Sequence, residues 1–354
     1  MKDAVSVNKK LLVAVVVALA ASSAVAGDVT TEIYGRAHVS VDMLDNGNDS
    51  GANVSSNSSR IGFRANTEIA PGLTGKMQLE QEVRFDNGAG NFATRDSFVG
   101  LEGGFGGIRL GFFDTPTKKV RGAVDLFSDQ IGDMRNLTRL NRVRGGYTAD
   151  FDTRFQNGVH YYSPSFNGLS ADVDYSTNTD ADTNPPSDKA TAYSVGATYK
   201  TKELYVGLAY QQNEAFANSA ATRLAASYTM GDLKLTGLYQ LATLKAKDAS
   251  NNPLPNLDVS TYGVGASYKL GDKTTLKGQY LMLSDDRNNS DANMLALGVD
   301  YAMSKAFRLL FAYAMTSNDD NAAYRMSDSG HGDAVATVAG ETASGFSAGF
   351  QYDF

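Results

Sequence analysis

The chain has 354 residues, a formal net charge of −7, and neither Cys nor Trp. Absent cysteine rules out a disulfide framework and thiolate metal sites, and the acidic balance leaves no basic face for nucleic acid. Aromatic content rests on 18 Tyr and 17 Phe, and Gly is plentiful at 35.

The first 26 residues read as a cleaved signal peptide: Lys2, Lys9 and Lys10 form a basic n-region, residues 11–21 an apolar h-region, and Ala24-Val25-Ala26 a small-x-small cleavage site. The apolar run is too short for a membrane helix, which needs roughly 20 residues. A mature chain of one domain, residues 27–354, loses three Lys and Asp3 and carries −9. No later stretch has the apolar length of a membrane helix, a test that is blind to barrels.

From residue 32 the hydrophobic period is 2. Residues 32–43 set Ile33, Gly35, Ala37, Val39 and Val41 against Tyr34, Arg36, His38 and Ser40, a strand with one apolar and one polar face. Residues 59–69 continue with Ile61 and Phe63 opposite Arg60 and Arg64; residues 74–85 set Met77 and Leu79 against Lys76, Gln78, Glu80 and Glu82. Segments 95–102 and 108–112 flank a glycine-rich turn at 103–107. The beat resumes at 154–163, 169–177, 190–200, 203–212, 222–230, 232–244, 258–270, 273–284, 292–303, 305–317 and 342–354, for a total of sixteen segments. Most are near the roughly 9–11 residues of a tilted transmembrane strand.

Short turns alternate with long polar loops at 178–189, 245–257 and 318–341, and all seven prolines fall in turns or loops. Tyr199, Tyr210, Tyr228, Tyr239, Tyr268, Tyr280, Tyr301 and Tyr313 recur on the apolar face near strand ends, where an interfacial girdle belongs. A soluble β-sandwich explains the alternation but neither the alternating loop lengths nor the tyrosines. The expected fold is all-β, a transmembrane antiparallel β-barrel of 16 strands. Closure follows because no sheet edge can stay unpaired in hydrocarbon.

Residues 114–152 break the rhythm. Val124, Phe127, Ile131 and Met134 fall on one side at helical spacing, with Asp125, Asp129 and Asp133 on the other. This predicts a short helix that packs on the barrel wall and shows its carboxylates to water. Seven basic residues and three acids lie between 118 and 144, a net +4 that leaves −13 on the rest of the mature chain. Ion preference is thereby left open. Inward-pointing Glu80 and Glu82 tilt the reading towards cations.

Four stretches resemble the general Gram-negative porins: Glu32-Ile33-Tyr34-Gly35-Arg36, Ser59-Arg60-Ile61-Gly62-Phe63, residues 95–101 followed by Gly107-Ile108-Arg109-Leu110-Gly111, and the closing Gly349-Phe350-Gln351-Tyr352-Asp353-Phe354. The resemblance implies a sixteen-stranded homotrimer in the outer-membrane lipid and lipopolysaccharide, passing ions and small hydrophilic solutes. It also implies a third loop, here 114–152, folded into the pore opposite basic wall residues. By position these are Arg36, Arg60 and Arg95, with Asp125 and Asp129 as counterparts of the loop carboxylates. The spacing by four adds Asp133, and the basic tail of the segment adds Arg142 and Arg144 as further candidates. Phe354 matches the terminal residue read by the barrel assembly machinery. The acid-free stretch 87–92 departs from members whose second loop latches a neighbouring subunit with a carboxylate.

Rival readings are a substrate-specific channel for an oligosaccharide, phosphate or organic acid, an adhesive barrel, and an outer-membrane enzyme. The enzyme reading has only His38, His160 and His331 to draw on, without a signalled nucleophile. Neither a cofactor nor a metal is expected.

Overall fold

The computed structural model describes residues 27–87, 93–179, 190–328, 330–332 and 334–354. The signal-peptide reading, most of stretch 87–92 and most of loop 178–189 lie outside these residues. The described strands are β1 (Thr30–Asp45), β2 (Ser50–Ser56), β3 (Arg60–Ala70), β4 (Leu73–Glu82), β5 (Ser97–Gly103), β6 (Gly106–Asp114), β7 (Arg154–Tyr162), β8 (Leu169–Ser176) and β9 (Ala192–Lys200). They continue with β10 (Leu204–Asn213), β11 (Ser219–Met230), β12 (Leu233–Leu244), β13 (Leu257–Leu270), β14 (Thr274–Asp285), β15 (Ala292–Ala302), β16 (Phe307–Asn318) and β17 (Ala343–Asp353).

From β3 onward each segment pairs antiparallel with the next in the chain, and β1 pairs with β17, so the sheet closes. Both β2 and β3 run along β1: Ser56 to Ser50 face Val39 to Asp45, and Arg60 to Asn66 face Arg36 to Thr30. They are two halves of one barrel strand, so the seventeen segments make a sixteen-stranded barrel. The sequence rhythm started this strand at residue 59 and missed β2, whose run SGANVSS has too few apolar residues to beat. The break is a kink at Asn57–Ser59, where Ser58 takes φ +50° and the Ser59 hydroxyl accepts from the His38 amide at 2.9 Å.

The two faces are inverted relative to a soluble protein. Ile33, Val41 and Met43 are 67, 56 and 66 % exposed, while the intervening His38, Ser40 and Asp42 are at most 3 % exposed. The same outward apolar face continues through Val99, Leu110, Leu208, Val264 and Phe311. An exposed apolar belt on this scale marks a surface solvated by lipid. Tyr199, Tyr228, Tyr268 and Tyr301 form an outward row near the short turns, and Tyr239 packs against Tyr262 in a second row with the rings tilted at 36°. Among the described residues no helix is long and apolar enough to cross a membrane, which says nothing of a barrel.

Closure is completed by the last residue. The Gly35 amide donates to the Phe354 carbonyl at 2.9 Å, and the Phe354 amide donates back to Gly35 at 3.1 Å. The Phe354 ring lies over Gly35 so closely that a Cβ there would sit 2.4 Å from it. A Cβ there would have to displace the ring and would also meet the Arg60 carbonyl oxygen at 2.8 Å. Gly35→Val is expected to destabilise the folded barrel by about 1–3 kcal/mol through overpacking, read as an earlier loss of the folded band on a heat-modifiability gel.

Candidate functional site

The long segment enters through a capped helix, α1 (Pro116–Gly122). Thr115 is the N-cap, its hydroxyl accepting from the Lys118 amide at 3.3 Å, and Pro116 occupies the first turn where its missing N–H costs nothing. The sheet makes room for this helix with small residues. Val120 packs with Ala209, Ala221 and Ala225 of β10 and β11, and the Thr117 hydroxyl lies 2.9 Å from that of Ser194.

The helix expected around 124–134 does not form. That stretch is a series of turns, with Asp129 at φ +63° and Gly132 at φ +80°, and the next helix is the single turn α2 (Arg135–Thr138). Gly132 supplies a conformation that a continuous helix cannot accommodate. The sidedness survives without the helix: Val124, Phe127, Ile131 and Met134 are all fully buried, Phe127 and Ile131 against Ala296, Ala312 and Ala314 of β15 and β16.

The aspartates do not show themselves to water as expected. The Asp125 and Asp133 side chains are fully buried and Asp129 keeps 14 % exposure. Their partners come from the same segment: Arg121 Nη1 donates to Asp125 at 2.6 Å and to Asp133 at 3.3 Å, and Arg135 Nη2 donates to Asp129 and to Asp133 at 2.6 Å each. The sequence reading had counted Arg121 and Arg135 only as net charge. The i,i+4 spacing of Arg121 and Asp125 was the available signal.

The network anchors to both walls. On one side Arg223 of β11, fully buried, donates to both oxygens of Asp152 at 2.9 and 3.0 Å and to the Thr117 and Thr138 carbonyls. Arg121 Nε joins Asp152 to the aspartate cluster at 2.9 Å. On the other side Asp129 Oδ2 lies 3.9 Å from both Arg36 Nη1 and Arg60 Nη1. Arg36 is held by Asp353 at 2.7 Å, and Arg95, just ahead of β5, donates to Glu80 at 2.6 Å. Thus Arg36, Arg60 and Arg95 converge near Asp129, while Arg142 and Arg144 lie apart. Arg142 donates to Asp328 at 3.1 Å, and the Arg144 side chain is exposed. Arg223 went unnoticed in the sequence, although it is a lone large cation among Ser219, Ala221, Ala225 and Ser227 on the inward face of its strand.

The loop between β16 and β17 closes over this arrangement. The Gly132 amide donates to the Met326 carbonyl at 2.7 Å, and Met326 packs against Phe127 and Ile131. His331 lies 3.0 Å from Asp42 and its Nδ1 3.1 Å from the Ser327 hydroxyl.

Burial and the neighbouring Asp133 push the Asp125 carboxyl up to about 7, against the pull of Arg121. Asp133 is held below the usual range, because Arg135 and Arg121 outweigh its burial. Arg135 likewise overcomes burial at Asp129, which falls to about 2. The opposed shifts make Asp125 the member of the pair that takes up a proton first as pH falls.

A cavity of about 480 Å³ lies beside the convergence of arginines, lined by Arg60, Arg64, Lys76, Arg95, Arg109 and Arg154 and by the carboxylates Glu80, Asp96 and Asp114. Six cations against three acids leave this wall positive.

Comparison with known proteins places the chain. The sequence profile described as Gram-negative porin matches residues 13–321. The outer membrane porin protein 32 of Delftia acidovorans is 29 % identical over 98 % of this chain and 100 % of its own length. The major outer membrane protein P.IB of Neisseria meningitidis is 27 % identical over 70 % of this chain and 73 % of its own. Among solved structures, an anion-selective porin from Comamonas acidovorans superposes with a TM-score of 0.80 at 26 % identity, covering 92 % of this chain and all of that one. Fold and wall chemistry define a water-filled barrel of the outer membrane. The chain belongs to the Gram-negative porin family, whose members are passive diffusion channels.

Two outcomes follow from the charge network. Asp125 binds its proton more tightly folded than unfolded, so it contributes a penalty that grows as pH rises from about 4 and is complete above about 7. Asp125→Asn is therefore expected to gain about 1–2 kcal/mol relative to the parent between pH 5 and pH 8, read as the shift in gel melting temperature at the two pH values. Arg223→Leu leaves Asp152 with Arg121 and the Thr138 hydroxyl and costs about 3 kcal/mol; it is expected to expose the segment to limited proteolysis while the barrel itself stays closed.

Proposed function

We propose that residues 114–152 narrow the lumen and that the resulting pore passes small hydrophilic solutes with a preference for anions. The observation that carries this reading is charge bookkeeping at the gap. The loop carboxylates are met by the loop's own Arg121 and Arg135, so the loop offers the wall cations Arg36 and Arg60 only Asp129 Oδ2, 3.9 Å away, and on the wall Arg60 and Arg95 share the single carboxylate of Glu80. Positive potential focused by low-dielectric walls favours anions. The cation lean drawn from Glu80 and Glu82 loses its footing. Glu80 accepts from Arg95 at 2.6 Å and from Tyr34 at 3.0 Å, and Glu82 lies 3.5 Å from Arg84. The similarity to a protein described as an anion-selective porin points the same way.

The working unit in this reading is a homotrimer in lipid, with Phe354 offered to the assembly machinery before closure. The enzyme alternative has its best candidate in the string Ser327, His331 and Asp42. All three are at most 2 % exposed, which suits a tie for the outer loop better than a nucleophile awaiting substrate.

Reversal potentials in a salt gradient across a planar bilayer test the preference. The expected sign is that of an anion-selective pore, with insertions in steps of three. Arg60→Glu should lower the anion-to-cation permeability ratio roughly threefold or more. A cation-selective parent channel would refute the reading.

A further inference from the structure

Arg109 of β6 shares the inward face with Phe98 and Tyr162, and its guanidinium lies between them at 4.5 Å from each ring centroid. The site is built into the strands. Tyr162 lies flat against Gly107, where a Cβ would come within 2.2 Å of the ring. Tyr162 in turn donates its hydroxyl to Glu102, which also accepts from Lys76 at 2.7 Å. Glu102 is thereby taken. Every other cation lining the cavity has a carboxylate within 3.9 Å: Arg60 and Arg95 have Glu80, Arg64 has Glu32, Lys76 has Glu102, and Arg154 has Asp96. Among the described residues Arg109 has no such partner, and its Nε is enclosed without an acceptor. The positive surplus of the cavity lodges there.

We propose that Arg109 is a specificity-determining docking step on the permeation path, a site that briefly holds small carboxylate anions as they pass between the constriction and the end of the barrel with short turns. This rests on the anion-preferring reading above and adds the class of anion. The two rings flank the guanidinium at 4.5 Å from each centroid and leave its remaining N–H groups to a permeant. These are parallel donors in one plane, which a carboxylate satisfies with two oxygens side by side and chloride does not. Phe98 and Tyr162 act as positioning residues that keep the fork from folding back onto the wall.

The test is single-channel conductance in potassium chloride, potassium acetate and potassium phosphate at matched ionic strength, each variant being compared with its own chloride current. In the parent, acetate current is expected to saturate at a lower concentration than chloride current. Arg109→Gln should raise the half-saturating acetate concentration roughly tenfold or more, the loss of a charge-assisted bond. Arg109→Lys, which keeps the charge without the fork, should not restore it. Phe98→Leu keeps the charge and loses one ring, and should show a partial loss of roughly threefold; it serves if the Gln variant fails to assemble. Saturation by acetate, with or without phosphate, upholds the site. Parent-like acetate saturation in Arg109→Gln, full rescue by Arg109→Lys, or saturation by phosphate alone would overturn it. A cation-selective reversal potential in the same membrane refutes the pore reading separately.

Discussion

Everything in this molecule depends on the closure of the sheet between β1 and β17. In hydrocarbon an unpaired backbone N–H or C=O costs several kcal/mol, so an open edge is not a tolerable state. The last ladder bonds are made by Phe354 itself with Gly35, and the register behind them, Arg36 opposite Asp353, brings a wall arginine and its carboxylate together. The strand junction that seals the barrel thus also orients Arg36, one of the three cations facing Asp129.

A second constraint follows from the first. A closed barrel with its apolar side outward must line its interior with polar side chains. The segment that crosses this interior brings its own charge pairs rather than relying on water. The chain of contacts from Arg223 through Asp152, Arg121, the aspartate cluster and Arg135 to Asp129 spans from one wall to the other. Each charge is desolvated, and each is tolerable only because its partners are in hydrogen-bonding geometry. Rigidity is the consequence. The segment's carboxylates are mostly consumed within it, so the wall arginines take their partners chiefly from the wall: Arg36 from Asp353, and Arg95 and Arg60 from the shared Glu80.

Most of the strands were legible because period 2 with one lipid-facing side is a strong pattern, and proline and glycine marked the ends. The pattern failed at β2, where small polar residues carry no apolar beat. Arg36 and Arg60 could be placed by parity alone, since each faces away from the apolar stripe. For the segment 114–152 the apolar side was read correctly and the helix wrongly. Helical spacing reports which residues share a side, and turns around Asp129 and Gly132 can satisfy the same sidedness. The fate of the aspartates was not legible, because Arg121 and Arg135 become their partners only once the chain turns back on itself. Arg142 and Arg144 lie near them in sequence and elsewhere in space.

By itself the sequence determined the barrel, its strand number and the sign of each face, because these follow from local alternation and from the demand that lipid makes on every backbone group. It also determined that residues 114–152 are something other than wall. Tertiary structure decided which charges meet. Ion pairs form between side chains far apart in sequence, Asp129 with Arg60 and Asp152 with Arg223, and composition cannot say which cation is left without a partner. That difference, between a net charge that can be counted and a neutralisation that must be located, separates a cation reading of this pore from an anion reading.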